Sequence, residues 1–169
     1  LRLLVGDAGD GNACDHADWA NAGFLTEGEP SPEELQGLWL QEGFTPLFDG
    51  KSLAGWDGDP GLWSVQDGAI VGTTTAARKL DANTFLVWQG APVKNFILKL
   101  KFRIGEGNSG VQYRSRLTGK WQVAGYQADI ASSADLAGLL YEEGGRGILA
   151  NVGQLVHVAA DGTKSVLGA

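Results

Sequence analysis

Two short stretches hold most of the side chains that could do chemistry. The first, GNSGVQYRSR (residues 107–116), leaves a Gly-rich turn and then alternates. Val111, Tyr113 and Ser115 fall on one side of a predicted strand, and Gln112, Arg114 and Arg116 on the other. The next predicted strand, WQVAGYQADI (121–130), sets Tyr126, Ala128 and Ile130 against Gln127 and Asp129. Pairing the two strands gathers Gln112, Arg114, Gln127 and Asp129 into one polar patch. Amides and a guanidinium are groups that meet hydroxyls and carbonyls, as a sugar-binding surface must. The same alternation also describes a solvated sheet face with an Arg114–Asp129 cross-strand pair.

The second stretch is YEEGGRG (141–147). Tyr141, Glu142, Glu143 and Arg146 stand beside a Gly-rich loop at a strand end, where catalytic groups are often carried. Glu142 or Glu143 could act as a base and Arg146 as an anion stabiliser; an ordinary charged hairpin tip has the same composition. Other polar groups read more plainly. Asp7, Asp10, Asn12 and Asp15 are hard oxygen donors of the kind calcium takes, but their spacing matches no EF-hand loop, and Asx turns account for them. His16 reads as a structural hydrogen-bonding group between Asp15 and Asp18. His157 lies in an alternating run with Leu155 and Ala159 on its side, and a lone histidine is weak evidence for a metal or base. No phosphate-binding loop, HExxH, CxxC or GxSxG occurs.

These groups need a scaffold, and composition indicates which. The chain has 169 residues, 43% of them hydrophobic, with 26 glycines and six tryptophans. That suits one domain, or one and a piece of another, with turn-rich β structure. The formal net charge is −7 and no basic patch is visible, which argues against a nucleic-acid partner. The single cysteine, Cys14, permits no intrachain disulfide. No apolar run approaches membrane-spanning length.

Along the chain, residues 1–28 read as strand, loop, strand, too short to bury a core alone. Residues 29–43 read as a linker with a short helix, with Ser31 as N-cap, Pro32 at the first helical position and Glu34 three residues after the cap. From residue 44 the pattern is β throughout. Asp67-Gly68 marks a hairpin turn, and Phe96, Leu98, Leu100, Phe102 and Ile104 form an apolar row expected to be buried. Many short strands with turns between them predict an antiparallel sandwich over 44–169. The chain opens without Met inside a predicted strand, and TKSVLGA carries no stop signal, so both ends read as cut.

From residue 33 onward the chain resembles the 3-keto-disaccharide hydrolase domain family. The resemblance rests on LFDGKSLAGW, WSVQDGAIVG, NFILKLKFRIGEGNSGVQYRS, GYQADI and LYEEGGRG, in that order. DHADWANA, within residues 6–24, is similar to the end of a galactose-binding-like carbohydrate-binding module. The resemblance implies a concanavalin A-like β-sandwich (jelly roll) over 44–169, incomplete at its C-terminus. It makes 1–28 the remnant of a second sandwich, and implies export from a bacterial cell and a carbohydrate ligand. It also implies a reaction. A ketone at carbon 3 acidifies the hydrogen on carbon 2; removing it gives an enolate that expels the oxygen on carbon 1, and water adds back. Such a site needs a base, an enolate stabiliser and a sugar-orienting face. On that reading Glu142 or Asp129 is the base, Arg114 or a bound divalent cation the stabiliser, Gln112, Gln127 and Tyr141 the positioning groups, and Arg146 a further anion contact. A non-catalytic, lectin-like module uses the same fold. A two-carboxylate glycosidase is the third alternative, with its acids roughly 5–5.5 Å apart if retaining or roughly 6.5–9.5 Å if inverting; the E-x-D-x-x-E strand familiar from sandwich glucanases is absent.

Overall fold

The structure is a computed structural model that describes residues 2–5, 18–19, 37, 40–75 and 80–168. The cation-loop residues Asp7, Asp10, Asn12 and Asp15, together with His16, lie outside these, as does most of the 29–43 linker; within the linker Gly37, Leu40 and Gln41 are helical. The fold is all-β, of the sandwich class. Every strand pairing among the described residues is antiparallel. The strands fall into two compact units.

One unit contains β3 (Trp56–Asp57), β4 (Trp63–Gln66), β5 (Ala69–Gly72) and β6 (Val87–Trp88), with the tip of a later hairpin, Gly119–Gln122. The Asp67-Gly68 signal is a two-residue hairpin joining β4 to β5, with Gln66 opposite Ala69. Both turn residues have positive φ, 48° and 75°, the type I′ geometry whose twist suits a hairpin. The LFDGKSL motif is a turn. Asp49 accepts from the backbone N–H groups of Lys51 and Ser52 at 2.8 and 2.7 Å. Those donors, Ser52 first, hold its carboxyl below the usual range. Trp56 Nε1 donates back to the Leu47 carbonyl at 2.9 Å, so this motif organises a loop.

The other unit contains the remaining strands. β1 (Arg2–Val5) pairs with β2 (Asp18–Trp19) and with β7 (Phe96–Lys99). β12 (Leu155–Val158) pairs with β13 (Lys164–Gly168), and His157 there is exposed, opposite Ser165. The central sheet runs β11-β10-β9-β8, from β11 (Gly147–Ala150), β10 (Leu140–Glu143), β9 (Gln122–Ala131) and β8 (Asn108–Gly119). Tyr113 and Ala128 are its buried centre, with Phe96, Tyr126 and Leu140 packed against them. Removing a side chain of this size from water is worth roughly 1.5–3 kcal/mol.

The expected apolar row is corrected here. Phe96, Leu98, Leu100 and Ile104 are half-buried, and Phe102 is 44% exposed. Pairing with β1 ends at Lys99, so beyond it alternation has no sheet to bury against.

Candidate functional site

The site is built on β8, β9 and β10. β8 enters at Gly110, where a Cβ would stand 2.5 Å from Gln127 Cδ and 2.9 Å from Gln127 Nε2. The glycine of GNSG therefore makes room for a glutamine from the neighbouring strand. Further along, Arg114 has φ 47°, a left-handed conformation rare for a long side chain. It interrupts the alternation. Ser115, expected beside Val111 and Tyr113, instead lies on the Gln112 side, with its Oγ 2.8 Å from Gln112 Oε1.

Three polar residues of the expected patch form one hydrogen-bonded row. Ser115 Oγ donates to Gln112 Oε1 at 2.8 Å, and its proton is shared with the Tyr113 carbonyl at 3.0 Å. Gln112 Nε2 donates to Gln127 Oε1 at 2.9 Å, and Gln127 Nε2 donates to Asp129 Oδ1 at 2.5 Å. Gln127 and Asp129 are buried, 8% and 5% exposed. Burial pushes the Asp129 carboxyl above the usual range, against the hydrogen bonds from Gln127 and Asn108, and the charge of Glu143 adds to the rise.

Register sorts the rest. Tyr141 stands opposite Gln127, Glu142 opposite Tyr126 and Glu143 opposite Gly125. Residues directly opposite share a face, and so do alternate residues. Tyr141 and Glu143 therefore share the face of Gln127 and Asp129, while Glu142 shares the face of Tyr126 and Ala128. The two carboxylates considered as bases lie on opposite faces of the sheet.

Glu142 has its own partners. Its Oε2 accepts from Arg146 Nε at 2.5 Å and from the Arg146 backbone N–H at 3.0 Å across the tight turn. Arg146 Nη2 donates to the Tyr126 hydroxyl at 3.1 Å. Hydrogen bonding to Arg146 holds Glu142 below the usual carboxylate range, and the same bond raises Arg146.

A cleft of about 400 Å³ opens at this end of the sheet, lined by Arg114, Arg116, Tyr126, Glu142, Glu143 and the backbone of Gly125, Gly144 and Gly145. Its size is within the range of small-ligand sites. Arg114 Nε and Nη2 are buried in the sheet end. Glu143 connects the cleft to the polar row, since it lines the one and acts on Asp129 in the other. Ser115, Asn108 and the Tyr126 hydroxyl are polar contributors that sequence reasoning missed. Among the described residues, no group of three or more His, Cys, Asp or Glu side chains could hold a metal ion. No described helix is long and apolar enough to cross a membrane.

Residues 43–164 match the 3-keto-alpha-glucoside-1,2-lyase-like domain. The chain belongs to that family. No curated protein and no solved structure matches it. Every side chain of the polar row and the cleft lies inside the matched span of this 3-keto-glucoside lyase-like domain. The arrangement brings together a buried carboxylate of raised proton affinity, two guanidinium groups lining a cleft, and a tyrosine on the face of the carboxylate.

Proposed function

We propose that this domain opens the glycosidic bond of a 3-keto-glycoside by elimination across carbons 1 and 2, with water then adding to carbon 1. Asp129 is the base. It takes the proton on carbon 2, the electrons of that C–H bond pass into the enolate of the 3-ketone, and the enolate expels the glycosidic oxygen, which takes a proton from water and leaves as an alcohol. The hydroxide so formed adds to carbon 1 of the resulting enone and the proton held by Asp129 goes to carbon 2, which gives a free 3-keto sugar and an ionised Asp129. Arg114 is the cation nearest in role to an enolate stabiliser, and Tyr141 is a sugar contact.

The observation that carries this assignment is the contrast between the two carboxylates. Asp129 is desolvated and has a raised proton affinity, while Glu142 is occupied by Arg146 and has a lowered one. A base benefits from the former. Glu142 then serves to hold Arg146 against Tyr126. The placement of the two acids on opposite faces does not favour a two-carboxylate glycosidase, which needs both around one bond. A lectin-like role draws on the cleft-lining guanidinium groups, which could hold a sugar without reaction.

The deciding experiment is incubation with 3-keto-trehalose in deuterated water, with and without chelator. The expected result is deuterium at carbon 2 and release of free sugars, both lost in Asp129→Asn. Binding without exchange at carbon 2 would leave the lectin-like reading. Activity that survives Asp129→Asn would remove Asp129 as the base, and loss of activity with chelator would bring in a divalent cation.

A further inference from the structure

The amide groups that suggested a sugar contact are already engaged. Gln127 is held between Asp129 and Gln112, and Gln112 between Gln127 and Ser115. The direction of every bond follows from one end. An ionised carboxylate only accepts. Gln127 must therefore turn Nε2 toward Asp129, which leaves Oε1 for Gln112. Gln112 must then supply Nε2, which leaves its Oε1 for the Ser115 hydroxyl.

Protonation reverses the demand at that end, because a carboxylic acid also donates. Each primary amide has donors on one side and an acceptor on the other, and a serine hydroxyl does both. A half-turn of each amide then satisfies the protonated acid with the same heavy atoms. Gly110 leaves the Gln127 amide the space its present position needs. Because Gln127 and Asp129 are buried, a Gln127 amide facing the wrong way would leave a costly unmet polar group.

We propose that Gln112 and Gln127 are positioning residues that form, with Ser115, an amide relay whose polarity turns over when Asp129 takes up a proton. The relay keeps the group hydrogen-bonded both as base and as acid. No proton travels along it; the proton from carbon 2 stays on Asp129 and only the amides turn. The functional part rests on Asp129 being the base. The other groups acting on Asp129 are Glu143 from β10, which opposes its ionisation, and neutral Asn108 from β8, which favours it.

The test has two arms. In the first, the Asp129 carboxyl carbon and the side-chain amide resonances of Gln112 and Gln127 are followed by NMR against pH in the unaltered protein. The relay requires both amides to titrate with the Asp129 midpoint, and both to lose that titration in Asp129→Asn. A Gln112 amide that is indifferent to the Asp129 midpoint overturns it. The second arm measures turnover of 3-keto-trehalose by Gln112→Leu. A positioning role lowers kcat by about tenfold, the worth of one ordinary hydrogen bond, with KM unchanged. A raised KM with kcat intact means that Gln112 binds sugar, and overturns the inference. If the unaltered protein shows no exchange at carbon 2, the proposed reaction fails while the first arm still decides the relay.

Discussion

Replacing Gly125 by alanine should be among the most damaging single-methyl changes on β9. Gly125 has φ 152°, outside the range L-residues prefer, and a Cβ there would stand 2.5 Å from Ser115 Cα and 2.7 Å from Ser115 Cβ. The obstacle is backbone, so no rotamer change relieves it. β9 cannot retreat either, because β10 is paired on its other side, with Glu143 opposite Gly125. The backbone conformation costs about 1–3 kcal/mol. Forcing the strands apart costs a further ~1–3 kcal/mol. Together that is about 2–6 kcal/mol, a large part of the 5–15 kcal/mol typical of a domain. Gly153→Ala is the control: its φ is 76° but nothing lies within 4 Å of a Cβ, so only the backbone cost of about 1–2 kcal/mol applies. Urea unfolding of both variants, with midpoints and slopes compared, measures the difference. If Gly125→Ala loses no more than Gly153→Ala, the close approach of β8 and β9 at Ser115 is wrong, and with it the placement of Ser115 beside Gln112.

Gly110→Ala should push the buried Gln127 amide away from Asp129; exchange at carbon 2 should fall sharply, with a stability loss of about 1–3 kcal/mol in urea unfolding. Asp129→Asn should abolish exchange yet raise the melting temperature at pH 7. The native Asp129 carboxyl binds its proton more tightly than the unfolded chain does, so its contribution is full at low pH and is lost as pH rises through the folded pKa. Glu142→Gln should act in the opposite window. The lowered Glu142 carboxyl contributes above the ordinary carboxylate range and loses that contribution as pH falls through the folded pKa, so the variant should show a flatter acid limb in pH-dependent melts. The pair is partly exposed, so the change near neutral pH should be only ~0–1 kcal/mol.

Much of this was legible in the sequence wherever a local rule governs. Asp67-Gly68 marked its hairpin because few other dipeptides take positive φ twice. The alternation of β9 put Gln127 and Asp129 on one side because a regular strand has a period of two. Reading failed where one residue broke the local rule or where the answer lay across the chain. Left-handed residues are usually Gly, Asn or Asp, and nothing in YRSR marks Arg114 as one, so strict alternation places Ser115 on the wrong side. Trp121 also has a positive φ, 57°, and its indole N–H donates to Asp57, 64 positions earlier, a contact no window along the chain contains.

The choice of base shows the same division. Sequence alone left Glu142 and Asp129 equivalent, since both are carboxylates near strands that could line a site. Chemically they differ only by environment. The turn through Gly144 and Gly145 folds Arg146 back onto Glu142 and supplies its counter-charge, while β8 and β9 enclose Asp129 with amides and no described cation acts on its ionisation. One carboxylate is thereby made a stable anion and the other a group that gains by taking a proton. Environment sets proton affinity but not position: removing the cation by Arg146→Gln should raise Glu142 toward the ordinary carboxylate range, without making it a base for a sugar held against Asp129 on the opposite face. Recovery of exchange at carbon 2 in an Asp129→Asn, Arg146→Gln double variant would refute that spatial separation.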